Sequence, residues 1–428
     1  MGYAKQMMME AQDRGWTSLD RMVCADCLSD EDLQEIVRSH SEDAPCSYCG
    51  KSPSAPFDGL MEAINAGVRT EWQDVNSAGL FWDSEEGGWQ GVDVTDTYDL
   101  FHYEIDAVEN EKLRQDVINL ISNDTWEWVP RDFERLPQDK VLANCWQSFS
   151  FMVKHSTRFV FLLDPQMQQE EEDPIERYDS IPPGRFLQEL AHIVTGLNLV
   201  QVLPAGSAFY RARPHQANLI VRTPGGLAAP HQDEARFPNR MSPAGIPMFY
   251  GARELETCLA ELGRSEDERC CTAGKFRTAR AVNVLDLTRI PEVPGLFAPP
   301  SKQKGARKRI RFLRKFAQDM SRPVAKDELN HIEYVPTQVV TEYFRRAFRT
   351  KDNQEIQGIL YPSSKKDGGV CCVLFFENQQ TCSIHPGWEG EFDKGSRREK
   401  WWLGLEPRSK RRFVLGPNGS WTKAGLNT

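Results

Sequence analysis

The chain has 428 residues and a formal net charge of −10, from 52 basic and 62 acidic side chains. This length allows two or three domains, each with its own core. The share of apolar residues, 40%, and of charged residues, 27%, is that of a globular protein. The negative charge argues against a dedicated nucleic-acid binder, because counterion release on a phosphate backbone needs a strongly basic surface.

The first residues, MGYAKQMMMEAQDRGW, contain neither the basic nor the apolar segment of an export signal. No run of 18 apolar residues occurs in the sequence, so we expect no membrane span. From these two observations we expect a cytoplasmic protein.

The chain has eleven cysteines, and four of them form two CxxC pairs separated by eighteen residues. Two pairs at this spacing can close a tetrahedral cage of thiolates around Zn²⁺. Metal binding would fold a module of residues 1–56, which is otherwise too small to bury a core. The alternatives are a thioredoxin-like redox pair and ordinary buried cysteines. We predict a structural zinc site, since four thiolates leave no open position for catalysis. The predicted ligands are Cys24, Cys27, Cys46 and Cys49.

Residues 57–200 show a mainly helical pattern, with Leu60, Ile64 and Val68 spaced along one helix face. The segment 164–184 combines an acidic run with four prolines and a glycine, which is typical of a linker or an exposed loop. We therefore predict a helical domain over 57–200, and a domain boundary near the end of this segment.

The candidate site residues lie mainly in the region after this boundary. Residues 209–213, FYRAR, predict a short strand with Arg211 and Arg213 on one face, where two guanidinium groups would suit a diphosphate. A turn-forming segment that includes Arg240 follows, and then an apolar strand that ends at Tyr250. Next comes a helix whose apolar stripe is bordered by Glu261.

Six segments in one order resemble the RES domain family, which is named for its Arg, Glu and Ser. They are YRAR, NRMSPAGIPMFYGA, ETCLAE, VLDLT, EYVPTQ and GILYPSS, and they lie within residues 201–386. The region before them, with the cysteine knuckles, resembles the HEPN/RES N-terminal domain. The resemblance predicts an α+β protein, in which a mostly helical N-terminal region with a zinc module precedes a mixed α+β domain similar to ADP-ribosyltransferases. Residues 387–428 remain as a C-terminal tail.

RES proteins act on NAD⁺, some by hydrolysis or phosphorolysis and some by modifying a protein. Cleavage of the bond between ribose and nicotinamide passes through an oxocarbenium-like state, which a nearby carboxylate stabilises. The resemblance implies that Glu261 is this carboxylate, and that Arg211 and Arg240 bind the diphosphate. Arg213 is a secondary candidate for binding the diphosphate. It also implies that Tyr250 stacks on the nicotinamide ring, and that Ser363 or Ser364 hydrogen-bonds the ribose or the amide.

We therefore expect an NAD⁺-consuming toxin or defence effector, with an antitoxin partner and a homo-oligomeric state as expectations from the family. One alternative is a protein ADP-ribosyltransferase. Another is a HEPN-type RNase or RNA-binding protein with an inactive RES domain. HEPN ribonucleases place four to six residues between an Arg and a His, as in Arg185 and His192, but Phe186 stands where those enzymes have a polar residue. We predict a structural helix there, and a solvated charged face for the basic segment 302–316.

Overall fold

The structure is a computed structural model of the chain, and it divides into two compact units. Unit 1 consists of residues 1–138 and 292–308, and unit 2 of residues 139–291 and 309–428. The structure describes residues 3–85, 87–121, 127–130, 136–160, 181–263, 268–298, 306–322, 329–384 and 401–424. Most of the predicted linker 164–184 lies outside these described residues. None of the described helices is long and apolar enough to cross a membrane.

Unit 1 combines short helices and very short strands. Its second helix begins where the Asp30 side chain accepts a hydrogen bond from the backbone N–H of Leu33, a standard N-cap. Asn110 caps the fifth helix in the same way. The helices are α1 Tyr3–Arg14, α2 Glu31–Ser39, α3 Phe57–Glu71, α4 Thr97–Asp99 and α5 Glu111–Leu120, and the strands are β1 Met22–Val23, β2 Ala55–Pro56, β3 Trp72–Asp74, β4 Trp82–Asp83, β5 Gly88–Trp89, β6 Thr95–Asp96 and β7 Glu127–Pro130.

One apolar core holds unit 1 together, and it includes three of the four paired cysteines as well as side chains from α2, α3 and α5. Phe297, from the segment 292–308, belongs to the same core. A Cβ on Gly67 of α3 would lie 2.4 Å from the Phe297 ring, so only glycine allows this close approach.

Unit 2 is built on a curled mixed sheet. Among its helices, α11 has Pro336 in its first turn, where the missing N–H costs no hydrogen bond. The helices are α6 Gln138–His155, α7 Phe186–Gly196, α8 Leu255–Ala260, α9 Ala306–Ser321, α10 Asn330–Glu333 and α11 Val335–Arg346, and the strands are β8 Val200–Leu203, β9 Ala208–His215, β10 Phe249–Ala252, β11 Cys270–Thr278, β12 Val282–Asp286, β13 Gly358–Pro362, β14 Val370–Leu374, β15 Thr381–Ser383, β16 Leu403–Leu405, β17 Arg411–Leu415 and β18 Trp421–Lys423.

The described strands of this sheet run in the order β15-β16-β11-β9-β10-β14-β13-β12-β8, with β17 and β18 attached beside β11. Strands β12 and β13 are parallel, and β13 and β14 are antiparallel. Strands β9 and β10 pair only through Ala252 and Tyr210, so they diverge beyond this point. Three strands of the predicted tail, β16, β17 and β18, are part of the sheet.

Side chains alternate between the two faces of the sheet, as the period of two requires. In β14, Val373 belongs to a core shared with α6, α7, α9 and α11, whereas Leu374 belongs to a core on the other face. Helices α6 and α7, which the sequence pattern assigned to the N-terminal domain, thus pack on this sheet. The predicted α+β class is confirmed: both units contain helices and strands, and the cysteine knuckles precede the large sheet.

Candidate functional site

Arg211 lies on β9 beside the point where this strand diverges from β10. Its guanidinium group donates to the backbone oxygen of Tyr250, and its Cζ lies 5.2 Å from the centroid of the Phe249 ring. Burial lowers the pKa of Arg211 to about 10, so it remains charged at neutral pH. Its Nε atom is buried without a hydrogen-bond partner, which is costly unless a ligand supplies an acceptor. Arg213, two residues on, is exposed and donates to the backbone oxygen of Gly226.

Arg240 stands in a tight turn between β9 and β10. Asn239 and Ser242 close this turn with a reciprocal pair of backbone hydrogen bonds of 2.8 and 3.2 Å. The Nε atom of Arg240, like that of Arg211, is buried without a partner. Of the five buried side-chain atoms without a partner in the described residues, two therefore belong to the predicted diphosphate-binding arginines.

Tyr250 joins the Arg240 turn to the sheet. Its phenol oxygen lies 2.9 Å from the Ser242 hydroxyl and accepts a hydrogen bond of 3.2 Å from the backbone N–H of Met241. Burial raises the pKa of Tyr250 to about 12, although these hydrogen bonds and the charges of Arg211 and Arg240 act in the opposite direction. The phenol therefore stays neutral at physiological pH.

Glu261 caps the C-terminal end of α8, and it contacts Ser363, which follows β13. The Ser363 hydroxyl donates to Oε1 of Glu261 and accepts hydrogen bonds of 3.1 Å from the backbone N–H groups of Lys365 and Lys366. A hydroxyl has one donor and two acceptor positions. All three are thus used within the protein. Ser364 is exposed.

Three buried side chains near these residues, Tyr250, Cys258 and Cys371, are each influenced by more than one of the charged groups. Besides burial, which raises the pKa of Cys258 to about 12, this thiol is affected by the charges of Arg211 and Glu261. Burial raises the pKa of Cys371 to about 12 as well, and this thiol is affected by Glu261, Ser363 and Arg240.

Tyr250 is affected by both arginines, so the three neighbours link Arg211, Arg240 and Glu261 pairwise. Contacts in the structure join these residues in two groups: Arg211 binds the backbone oxygen of Tyr250, whose phenol binds the Arg240 turn, and Ser363 binds Glu261. The strands that carry or adjoin these groups, β9, β10, β14 and β13, are neighbours in the sheet. Arg213 and Ser364 are exposed, although the charge of Arg213 also contributes to the lowered pKa of Arg211.

Two polar side chains that contact the site were not predicted from the sequence. Thr337 and Gln338 on α11 are buried and bind backbone oxygens of the Arg240 turn. Tyr361 is also buried there, and burial raises its pKa well above the usual value. One feature of the sequence could have indicated a role for Thr337 and Gln338. They are adjacent polar residues on a helix whose apolar face includes Val340 and Phe344. Such a pair must find hydrogen-bond partners when it is buried.

The residues of the possible ribonuclease motif, Phe186 and His192, lie on α7, and the described part of the basic segment lies on α9. Phe186 is fully buried in the core of unit 2, with its ring 5.2 Å from that of Trp146. His192 is exposed, with Nδ1 3.9 Å from a carboxylate oxygen of Glu189 on the same helix. In the basic segment, Arg311 pairs with Asp139. Phe186 is thus part of the packed face of α7, as the prediction of a structural helix requires.

The four paired cysteines of unit 1 form a compact cluster in which all sulfur atoms lie within 4.8 Å of one another. The distances are 3.7 Å for Cys24 and Cys27, 3.3 Å for Cys24 and Cys49, and 3.8 Å for Cys27 and Cys46. A tetrahedral site with Zn–S bonds of about 2.3 Å has edges of about 3.8 Å. None of the eleven cysteines is in a disulfide. The cluster therefore fits a tetrahedral metal ion.

The thiols of the cluster differ in acidity. Burial raises the pKa of Cys24 to about 11. Burial acts in the same direction on Cys46, but backbone N–H groups of Tyr48, Cys49 and Cys24 outweigh it and lower the pKa of Cys46 to about 7. N–H donors that stabilise a thiolate in this way are the usual surroundings of a metal ligand.

Fold and site together define an α+β protein with a four-cysteine module near its N-terminus and a large sheet, with Arg211 on a strand and Arg240, Glu261 and Ser363 in segments next to strands. The family models agree with this description. HEPN/RES N-terminal domain 1 matches residues 39–167, and the RES domain matches residues 208–392. The chain thus contains a HEPN/RES N-terminal domain followed by a RES domain, as the sequence motifs predicted. Comparisons with curated proteins and with solved structures gave no match. At the level of the family, a RES domain indicates an NAD⁺-related, toxin-like function and an NAD⁺-utilising enzyme.

Proposed function

We propose that the RES domain of this protein cleaves the bond between nicotinamide and ribose in NAD⁺. The observation that carries the proposal is the pair of buried Nε atoms on Arg211 and Arg240, both without a partner, close to a carboxylate. Guanidinium groups bind phosphate oxygens through several parallel N–H donors, so the diphosphate of a dinucleotide would satisfy both.

In the proposed reaction, the C1′–N bond breaks and its electron pair passes to nicotinamide, which leaves as a neutral molecule. The positive charge that develops on the ribose is stabilised by the Glu261 carboxylate, an interaction that is strongest in the transition state. An acceptor oxygen or nitrogen then attacks C1′ and loses its proton. Water, phosphate and a protein side chain are the acceptors to compare.

Ser363 acts on Glu261 in this scheme. Its hydroxyl donates to one carboxylate oxygen and is itself held by two backbone N–H groups. A carboxylate fixed in this way requires little reorganisation when charge develops on the substrate. We therefore assign Ser363 a positioning role, whereas the family resemblance suggested a direct contact with ribose or amide.

The test is release of nicotinamide from NAD⁺ by the purified full-length protein, with and without phosphate. Glu261→Gln is expected to lower kcat roughly 100- to 1,000-fold, the usual cost of losing an electrostatic stabiliser. Glu256→Gln is the matched control, because Glu256 is exposed on the same short helix. Equal rates for Glu261→Gln and wild type would refute the assignment, and labelled NAD⁺ on protein would indicate ADP-ribosyl transfer.

Arg240 is tested by its effect on substrate binding. Arg240→Gln is expected to raise KM for NAD⁺, because the arginine would hold a part of the substrate that does not change during the reaction. Arg236→Gln is the control, since Arg236 is exposed and precedes the same turn. An unchanged KM for Arg240→Gln would remove the arginine from the site.

We also propose that the cysteine cluster binds a structural Zn²⁺ ion. The support is the compact cluster of four sulfur atoms, two of whose distances, 3.7 and 3.8 Å, are close to a tetrahedral edge, together with the N–H donors at Cys46. Four thiolates would complete the coordination, so the ion would stabilise unit 1 and take no part in catalysis.

A further inference from the structure

The turn that carries Arg240 is held by two adjacent side chains of α11. Gln338 uses both N–H donors of its amide, one to the backbone oxygen of Asn239 at 2.8 Å and one to that of Ser242 at 3.2 Å. The Thr337 hydroxyl faces the backbone oxygen of Arg240, and it also lies 2.9 Å from the backbone oxygen of Tyr334, so its single proton is shared between two acceptors. Helix α11 thus contacts the oxygens of three of the four residues of the turn.

The turn is fixed on its other side as well. Met241 is fully buried in the core of unit 2, and its backbone N–H donates to the Tyr250 phenol. Arg240 and Met241 are the two residues at the tip of the turn, and neither adopts a positive φ. The backbone of Arg240 is therefore held between α11 and β10, while its Nε is buried and has no partner.

Gln338 is a costly choice for helix packing alone. It is only 8% exposed, and a buried amide must satisfy its donors. An apolar side chain of similar size would pack in the same space without this requirement. The side-chain amide of glutamine has two N–H donors and can bind two carbonyl oxygens at once. Leucine has no donor and a glutamate carboxylate only accepts hydrogen bonds, so neither can replace it.

We propose that Gln338, assisted by Thr337, is the positioning residue that fixes the Arg240 turn for binding the diphosphate of the substrate. This inference rests on the proposed function of the site. Gln338 touches no reacting atom; it acts through the backbone of residues 239–242. Loss of the Gln338 amide therefore weakens binding of the phosphates by Arg240 and does not change the rate of bond cleavage at the ribose.

The experiment compares two substrates that share the reacting bond. NAD⁺ has the diphosphate, and nicotinamide riboside has no phosphate. Gln338→Leu is expected to raise KM for NAD⁺ roughly tenfold or more with kcat within about twofold, since two hydrogen bonds of the turn are lost. The same variant is expected to cleave nicotinamide riboside at the wild-type rate. Glu342→Gln, exposed on the same helix, is the control.

If a folded Gln338→Leu variant loses activity equally on both substrates, that result would overturn the proposal. Thr337→Val provides a second variant if Gln338→Leu does not fold, with a smaller rise in KM for NAD⁺ and no change for the riboside expected. If wild type cleaves NAD⁺ and the variants match it on both substrates, the positioning role is wrong but the proposed function stands. A wild-type protein that cleaves neither substrate would refute both.

Discussion

Replacing Ser363 by alanine separates a positioning role from direct contact with substrate. The Ser363 hydroxyl gives Glu261 one hydrogen bond, and hydrogen bonds to charged groups contribute about 1.5–3 kcal/mol. If this energy is realised in the transition state, its loss lowers kcat roughly 10- to 150-fold, since each 1.36 kcal/mol is tenfold. KM for NAD⁺ is expected to stay within about twofold. The Ser363 hydroxyl also accepts hydrogen bonds from the backbone N–H groups of Lys365 and Lys366. In the alanine variant these N–H groups can bind water instead, because the loop is partly exposed.

The assay is steady-state release of nicotinamide by wild type, by the single variants Ser363→Ala and Glu261→Gln, and by the double variant. Ser364→Ala is the matched control, because Ser364 is the exposed neighbour. Residues that act as a unit give non-additive effects, so Ser363→Ala is expected to cost little once Glu261 is already replaced. An equal loss in both backgrounds, or a rise in KM alone, would refute the reasoning and return Ser363 to a direct contact with substrate.

Three further changes test the metal cluster, the site and the core. Purified protein is expected to contain one Zn²⁺ by metal analysis; Cys46→Ser should lose it and destabilise unit 1, and Cys382→Ser, outside the cluster, should keep it. The raised pKa of Tyr250 means that its contribution to stability is complete below about pH 10 and is lost as the pH rises towards 12. Wild type should therefore lose about 1 kcal/mol more than Tyr250→Phe between pH 9 and 11 in urea unfolding; parallel curves would contradict this. Phe149→Ala should cost about 3–5 kcal/mol, because this ring of α6 is fully buried; a much smaller loss would remove α6 from the core.

Local patterns in the sequence were sufficient for several features. The CxxC spacing predicted a cluster that the structure forms, because residues three apart in a turn already bring their sulfurs close together. The order of six motifs identified the RES domain, since the residues of each motif are contiguous in the chain. Apolar periodicity predicted a helix through Leu60, Ile64 and Val68, and these three residues are buried on α3.

Other features of the site and the fold depend on contacts between residues far apart in the chain. Glu261 and Ser363 are about one hundred positions apart in the chain, and the sheet order brings them together; no local pattern could select Ser363 over Ser364. The same holds for Gln338 and its hold on the Arg240 turn. Similarly, the tail residues 411–415 form a strand beside β11, although their own sequence gives no partner.

The sequence by itself thus determined which residue types with the right chemistry are present, and the families to which the two domains belong. Only the tertiary structure decided which of them meet, which helices share the core of the sheet, and which hydroxyl has its hydrogen bonds satisfied within the protein. The physical reason is that side-chain chemistry and local periodicity are properties of neighbouring residues, whereas strand register and burial arise from contacts between segments far apart in the chain.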